Sequence, residues 1–146
     1  MSSPSWTTRS AILGTVVILL DTNVLIDLDL YEFDPHEEYG ASILSRAELE
    51  LGIHAARNPH DGAERTRRIN ALDQRFAWVE LDTESTRSYG IVAAGARATG
   101  AKVRSNDALI AAQAHRHGAA VMTANIDDFR PFGHLVEVVA PVRRKA

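Results

Sequence analysis

Apolar residues fall along the chain in runs of two kinds, and the two kinds alternate. Val16-Val17-Ile18-Leu19-Leu20 contains no polar side chain. It predicts a strand from Thr15 to Leu20 buried on both faces, as in a parallel sheet. A second run, Ala41-Ser42-Ile43-Leu44, leads into a helical stretch from about Arg46 to Ala56. Asn58-Pro59 and Asp61-Gly62 then read as a turn. From Ala63 to Arg75 the spacing is helical, with Ile69, Leu72 and Phe76 as an apolar stripe and arginines opposite. Phe76 to Leu81 predicts a third strand. Thr83 to Ala98 is an alanine-rich helix stopped by Gly100, and Asp107 to His117 is a helix closed by Gly118. Ala120 to Thr123 and Leu135 to Val139 complete the strands, and Val142 to Ala146 is a basic tail. Strands separated by helices need crossover connections, which predicts the α/β class with a mostly parallel sheet covered on both sides.

With 146 residues, 45% of them apolar and 24% charged, the chain fits one domain with one core. The absence of cysteine removes disulfides, thiol catalysis and cysteine-ligated zinc, and fits a reducing compartment such as the cytoplasm. The formal charge of −3 excludes an indiscriminate electrostatic trap for nucleic acid. Of sixteen basic residues only Lys102 and Lys145 are lysines. A GC-rich coding sequence explains that bias without function, although arginine also suits bidentate phosphate contacts. Ala11 to Leu20 follows Arg9 like the core of a signal peptide, but ten residues are too few to span a bilayer, and Asp21 follows instead of a cleavage site. The expected organisation is an extension at 1–14, a domain at 15–140 and a basic tail at 141–146. The six histidines show no ligand spacing: His115 and His117, two apart on a helix, face different ways. Trp78 is expected in the core.

Polar residues stand where the strands end, the edge at which open α/β sheets bind ligands. Asp21-Thr22-Asn23 follows the first strand at once, and Asp21 equally suits the cap of a helix beginning near Val24. Glu48 is placed in the first turn of the second element's helix, where a carboxylate also complements the helix dipole. Gly52, one turn on, lets that face approach a neighbour closely. Glu50, rotated about 200° from Glu48, is expected to meet solvent. Asn106-Asp107 opens a helix whose next turn is small or apolar, so Asp107 should point to the sheet's rim. Thr123-Ala124-Asn125 and Asp127-Asp128-Phe129 follow the next strand.

Leu20-Asp21-Thr22-Asn23-Val24-Leu25-Ile26-Asp27, Ala47-Glu48-Leu49 with Gly52, Asn106-Asp107-Ala108-Leu109-Ile110-Ala111-Ala112, and Thr123-Ala124-Asn125 with Asp128-Phe129 occur in that order from about Val16 to Val139. Together they resemble the PIN-domain nucleases, and most closely the VapC-type toxins of bacterial toxin–antitoxin pairs. The resemblance implies a three-layer α/β/α fold with a mostly parallel sheet of four to five strands. It puts Asp21, Glu48 and Asp107 on three acidic metal-binding positions. Asp128 is the first choice for a fourth carboxylate, with Asn125 as a neutral ligand or orienting group and Asp127 as a surface charge. Thr22, Asn23 and Thr123 match positions that hold ligands or water. The resemblance further implies an antitoxin that blocks the acidic groove and a homodimer or larger assembly. The Thr83–Ala98 helix and the Ile69/Leu72 stripe are candidate surfaces for such packing, although composition alone assigns both to the core.

Several carboxylates about 4–5 Å apart repel by roughly 3–4 kcal/mol per pair at an effective dielectric near 20. Protons or a cation must neutralise them. Oxygen ligands without cysteine favour Mg²⁺ or Mn²⁺ over zinc. The expected reaction is hydrolysis of an RNA phosphodiester by metal-activated water, with Arg46, Lys102 and Arg104 as candidate phosphate contacts. Two other classes compete: an aspartate-nucleophile phosphohydrolase, which usually needs a second acid where Asn23 stands, and a PIN-fold module that binds without cutting.

Overall fold

The structure is a computed structural model that describes residues 17–145. The expectations for the extension at 1–14, the strand start at Thr15–Val16 and the last tail residue, Ala146, lie outside the described residues. Strand β1 (Val17–Leu20) occupies the middle of a five-stranded sheet, between β3 (Glu38–Ser42) and β5 (Ala120–Met122). β4 (Trp78–Val79) and β6 (Val138–Val139) form the edges, giving the order β4-β3-β1-β5-β6 with every pair parallel. A separate antiparallel ribbon joins β2 (Tyr31–Glu32) to β7 (Val142–Arg143). Part of the supposed basic tail is therefore a paired strand.

The continuous apolar run of β1 serves two cores because successive side chains leave a strand on opposite faces. Val17 and Leu19 enter one cluster with Val92, Ile110, Val121 and Phe132, under helices α4 (Thr83–Ala98) and α5 (Ser105–His117). Leu20 enters the other with Val24, Leu49, Ile69, Leu72 and Met122, under α1 (Thr22–Ile26), α2 (Ile43–His54) and α3 (Pro59–Arg75). The layers are thus α/β/α. Val92, Ala93, Ala96, Ile69 and Leu72 are all buried. The Ile69/Leu72 stripe and the Val92, Ala93 and Ala96 face of the Thr83–Ala98 helix are therefore core, as composition alone assigns them, while Ile91 and Ala94 on the same helix are exposed. Trp78 packs against the second core, and its indole N–H donates to Asp73 Oδ1 at 2.7 Å.

Three boundaries differ from expectation for identifiable reasons. β3 ends at Ser42, whose hydroxyl accepts from the Leu44 amide and caps α2, so the helix starts inside the apolar run. Asn58 Oδ1 accepts from the Asp61 amide at 2.8 Å and Pro59 occupies the first helical position, where its missing N–H costs no bond. The residues read as a turn are therefore the cap and first turn of α3. Leu135 and Val136 lie outside β6 because their amides bond to Phe132 O. Gly118 does close α5, at φ 64°, a left-handed conformation that glycine adopts without a Cβ clash. Among the described residues, no helix is long and apolar enough to cross a membrane.

Candidate active site

The carboxyl ends of β1 and β5 lie side by side because Leu20 is in register with Met122. The Asp21 amide continues the ladder to Met122 O at 2.9 Å, and the Thr123 amide bonds to Val139 O at 3.0 Å. Asp21 and Thr123, 102 residues apart in sequence, consequently meet: Thr123 Oγ1 donates to Asp21 Oδ2 at 2.9 Å. The same hydroxyl accepts from Asn23 Nδ2 at 3.3 Å and from the Asn125 amide at 3.0 Å. One proton and two lone pairs are all engaged, which is the full capacity of a hydroxyl. Asn23 Oδ1 accepts from the Ala124 amide at 3.1 Å, tying the loop after β5 to α1. Asp21 Oδ1 accepts from the Thr22 amide at 2.8 Å and caps α1. Capping and site reading thus both hold for Asp21, one through each oxygen.

On the other side of Asp21, register with β3 brings the start of α2 alongside α1. Thr22 Oγ1 lies 2.8 Å from Ser45 Oγ and donates to Glu48 Oε1 at 3.0 Å. Glu48 is the sixth residue of α2 and not part of its first turn. The helix-dipole explanation weakens accordingly, because that effect fades beyond the first turn. Asp107 is the third residue of α5 and is 7% exposed. Arg104, just before α5, places Nη2 3.6 Å from Glu48 Oε2.

These groups share one electrostatic environment. Burial pushes the Asp107 carboxyl up to about 6; Arg104 opposes the rise, while the charges of Asp21, Asp128 and Glu48 add to it. Burial also raises Asp21, against the hydrogen bonds from Thr123 and Thr22, with Glu48 adding to the rise and Arg104 opposing it. Among the described residues, no group of three or more His, Asp or Glu side chains is arranged so as to hold a metal ion. The donors are nevertheless all carboxylate oxygens, two of them reluctant to carry charge without a cation nearby. That set fits a hard divalent ion, which binds through one or two carboxylates and retains several waters.

A family profile of the PIN domain matches residues 18–134, a span containing all of these side chains. The chain belongs to the PIN-domain family. Within it the chain is of the VapC type: it is 34% identical over 113 residues to Ribonuclease VapC4 of Mycobacterium tuberculosis, covering 75% of this chain and 86% of that protein. The VapBC-5 member of the VapBC family of toxin–antitoxin systems, also from Mycobacterium tuberculosis, superposes with a TM-score of 0.73 at 26% identity, over 88% of this chain and 99% of that one. VapBC2 from Rickettsia felis, solved bound to a DNA fragment from its promoter, gives a TM-score of 0.72 at 20% identity over 86% and 99%, a likeness of fold.

Within this PIN fold the expected positions divide. Asp21, Thr22, Asn23, Glu48, Asp107 and Thr123 are joined by hydrogen bonds or mutual charge at one rim. Asp128 is exposed but close enough to act on Asp107, and Asn125 Nδ2 donates to its Oδ2 at 2.7 Å. Asn125 is thereby an orienting group for Asp128 as the structure stands. Asp127 pairs with Arg130 and is 78% exposed. Arg46 requires correction as a phosphate contact beside Glu48. Its guanidinium forks onto Asp73 at 2.9 and 3.0 Å and reaches Glu50 at 2.8 Å, so its donors bind α2 to α3. Glu50 correspondingly spends its charge on Arg46 as well as meeting solvent. Lys102 is exposed on the connection before α5. Ser45, fully buried against Thr22, is a site neighbour that the sequence pattern does not mark, since a lone serine one turn before Leu49 carries no polar signal of its own.

Proposed function

We propose that this VapC-type PIN-domain protein is a metal-dependent endoribonuclease, the toxin of a toxin–antitoxin pair. The observation that carries the reading is that one sheet edge gathers Asp21, held by Thr22 and Thr123, with Glu48, held by Thr22, while the charges of Asp21, Asp128 and Glu48 all bear on the buried Asp107. Asp21, Glu48 and Asp107 are the proposed ligands, with Asp128 as the outer carboxylate. Mg²⁺ or Mn²⁺, when bound there, supplies Lewis acidity toward a phosphoryl oxygen and lowers the pKa of water. The chain's own residues supply position. Thr123 fixes the Asp21 carboxylate, Thr22 fixes Glu48, and Asn23 holds the loop that carries Asn125 and Asp128. Arg104, 3.6 Å from Glu48 and largely exposed, and the exposed Lys102 would be the cations within reach of a substrate phosphate.

The VapBC toxin–antitoxin structures that this fold matches support an antitoxin partner, and a cytoplasmic setting and homodimerisation belong to the same proposal. An aspartate-nucleophile phosphohydrolase is the weaker reading: both Asp21 oxygens accept hydrogen bonds, and Asn23, where a general acid is needed, bridges two chain segments. The test is cleavage of RNA with Mg²⁺, with EDTA, and by Asp21→Asn and Asp107→Asn. Loss of about 10³-fold or more in all three departures supports the reading. Undiminished cleavage by both variants would place the chemistry elsewhere.

A further inference from the structure

Three depressions on the surface adjoin one another through shared lining residues. The first, about 400 Å³, starts at Thr22 and Glu48 and runs past Ile26 to Arg65 and Arg68. The second, about 390 Å³, shares Ile26 and Arg68 and continues along α3 to Arg75. The third, about 200 Å³, shares Leu28 and Arg75 with the second and ends at Phe33 and Tyr39. This row of adjoining depressions extends from Glu48 to an aromatic pair whose rings meet edge to face at 5.1 Å.

Its two walls differ in chemistry. Arg68 and Arg75 are seven residues apart, two helical turns, and so share a flank of α3 about 10 Å long. Among the described residues no carboxylate forms an ion pair with Arg65, Arg68 or Arg75. Arg65 donates to Gly52 O, which holds it against α2. Glu64 also lines the groove but is paired with Arg67, and Asp29 stands on the opposite side. The facing wall is otherwise apolar, through Ile26 and Leu28, with Ile26 41% exposed.

We infer that this groove carries the single-stranded RNA on one side of the cut, with Arg68 and Arg75 holding its phosphates and Phe33 and Tyr39 receiving a base at the far end. The inference rests on the RNA-cleaving reading of the carboxylate site. A cationic rail facing an apolar and aromatic wall matches a strand that offers phosphates along one edge and π-faces along the other. Continuity with Glu48 decides the occupant, since a strand cut at the carboxylates needs a path away from them.

The experiment measures binding of fluorescent RNA oligonucleotides of increasing length in EDTA, alongside cleavage in Mg²⁺. Wild-type affinity should rise with length as the oligonucleotide extends along the groove. In R68A/R75A that gain should vanish, binding of the longer RNA should weaken about tenfold, and the salt slope should fall by about 1.4. R68K/R75K should recover most of the salt slope, and circular dichroism checks folding. Wild-type length dependence in R68A/R75A would overturn the groove assignment while leaving the nuclease reading intact. Loss of polyglutamate binding with RNA binding unchanged would overturn it in favour of an acidic protein segment. RNA neither bound nor cut by the wild type would instead overturn the reading beneath it.

Discussion

Asp21 and Glu48 stand on two sides of one rim and are held by contrasting means. Asp21 is 6% exposed and receives the Thr22 amide and the Thr123 hydroxyl, the latter saturated by two further donors. Glu48, its side chain 26% exposed, receives the Thr22 hydroxyl and an arginine side chain that is 66% exposed. The first side is a buried corner formed by two adjacent strand ends; the second is a helix face approached by a solvated cation. The contrast teaches that position and charge are supplied separately. The strand corner sets where the carboxylates sit, and the helical side, with Asp107 at the start of α5, sets how strongly the site needs a cation.

Breaking the corner should have the largest effect. Thr123→Val leaves a buried carboxylate oxygen without its donor and removes the acceptor of Asn23 and the Asn125 amide. A loss of about 1–3 kcal/mol in stability is expected, with cleavage falling about 100-fold, mainly in kcat. Chemical denaturation and steady-state kinetics check both; full activity would show that the corner does not position the chemistry.

Neutralising the charged side should act in the opposite direction on stability. Asp107 titrates at about 6 in the fold and near 3.8 when unfolded. Its proton therefore favours the fold fully below pH 4, and that advantage is lost as pH rises through 6. In metal-free buffer, Asp107→Asn should unfold like the wild type near pH 4 and be more stable above pH 7, by up to about 3 kcal/mol. Denaturation midpoints across that range check the sign.

Arg104→Ala sharpens the same comparison with a smaller effect. Removing the cation beside Glu48 should tighten Mn²⁺ binding a few-fold, as isothermal titration would read. Arg46→Ala should do least, costing under about 1 kcal/mol of stability through its exposed pairs with Asp73 and Glu50 and leaving cleavage near wild type.

How far the sequence revealed this arrangement depended on the range of the interactions. β1 was legible because an unbroken aliphatic run has few other uses, and Gly118 because a left-handed helix stop favours glycine. Asp21 and Asp107 were legible as polar residues at element ends. The depth of Glu48 in α2 was not, since strand and helix share one apolar run and only the Ser42 cap marks the change. The direction of Arg46 was hidden because its partner Asp73 lies 27 residues away. The groove along α3 was visible only as arginines opposite an apolar stripe; its continuity with Glu48 depends on how α1, α2 and α3 pack.

The most direct measurement is Mn²⁺ binding followed by electron paramagnetic resonance in the wild type and in folded Asp21→Asn and Asp107→Asn variants. Saturable binding in the wild type, weakened at least about tenfold in each variant, is the expected result. Equal binding in all three proteins would contradict it.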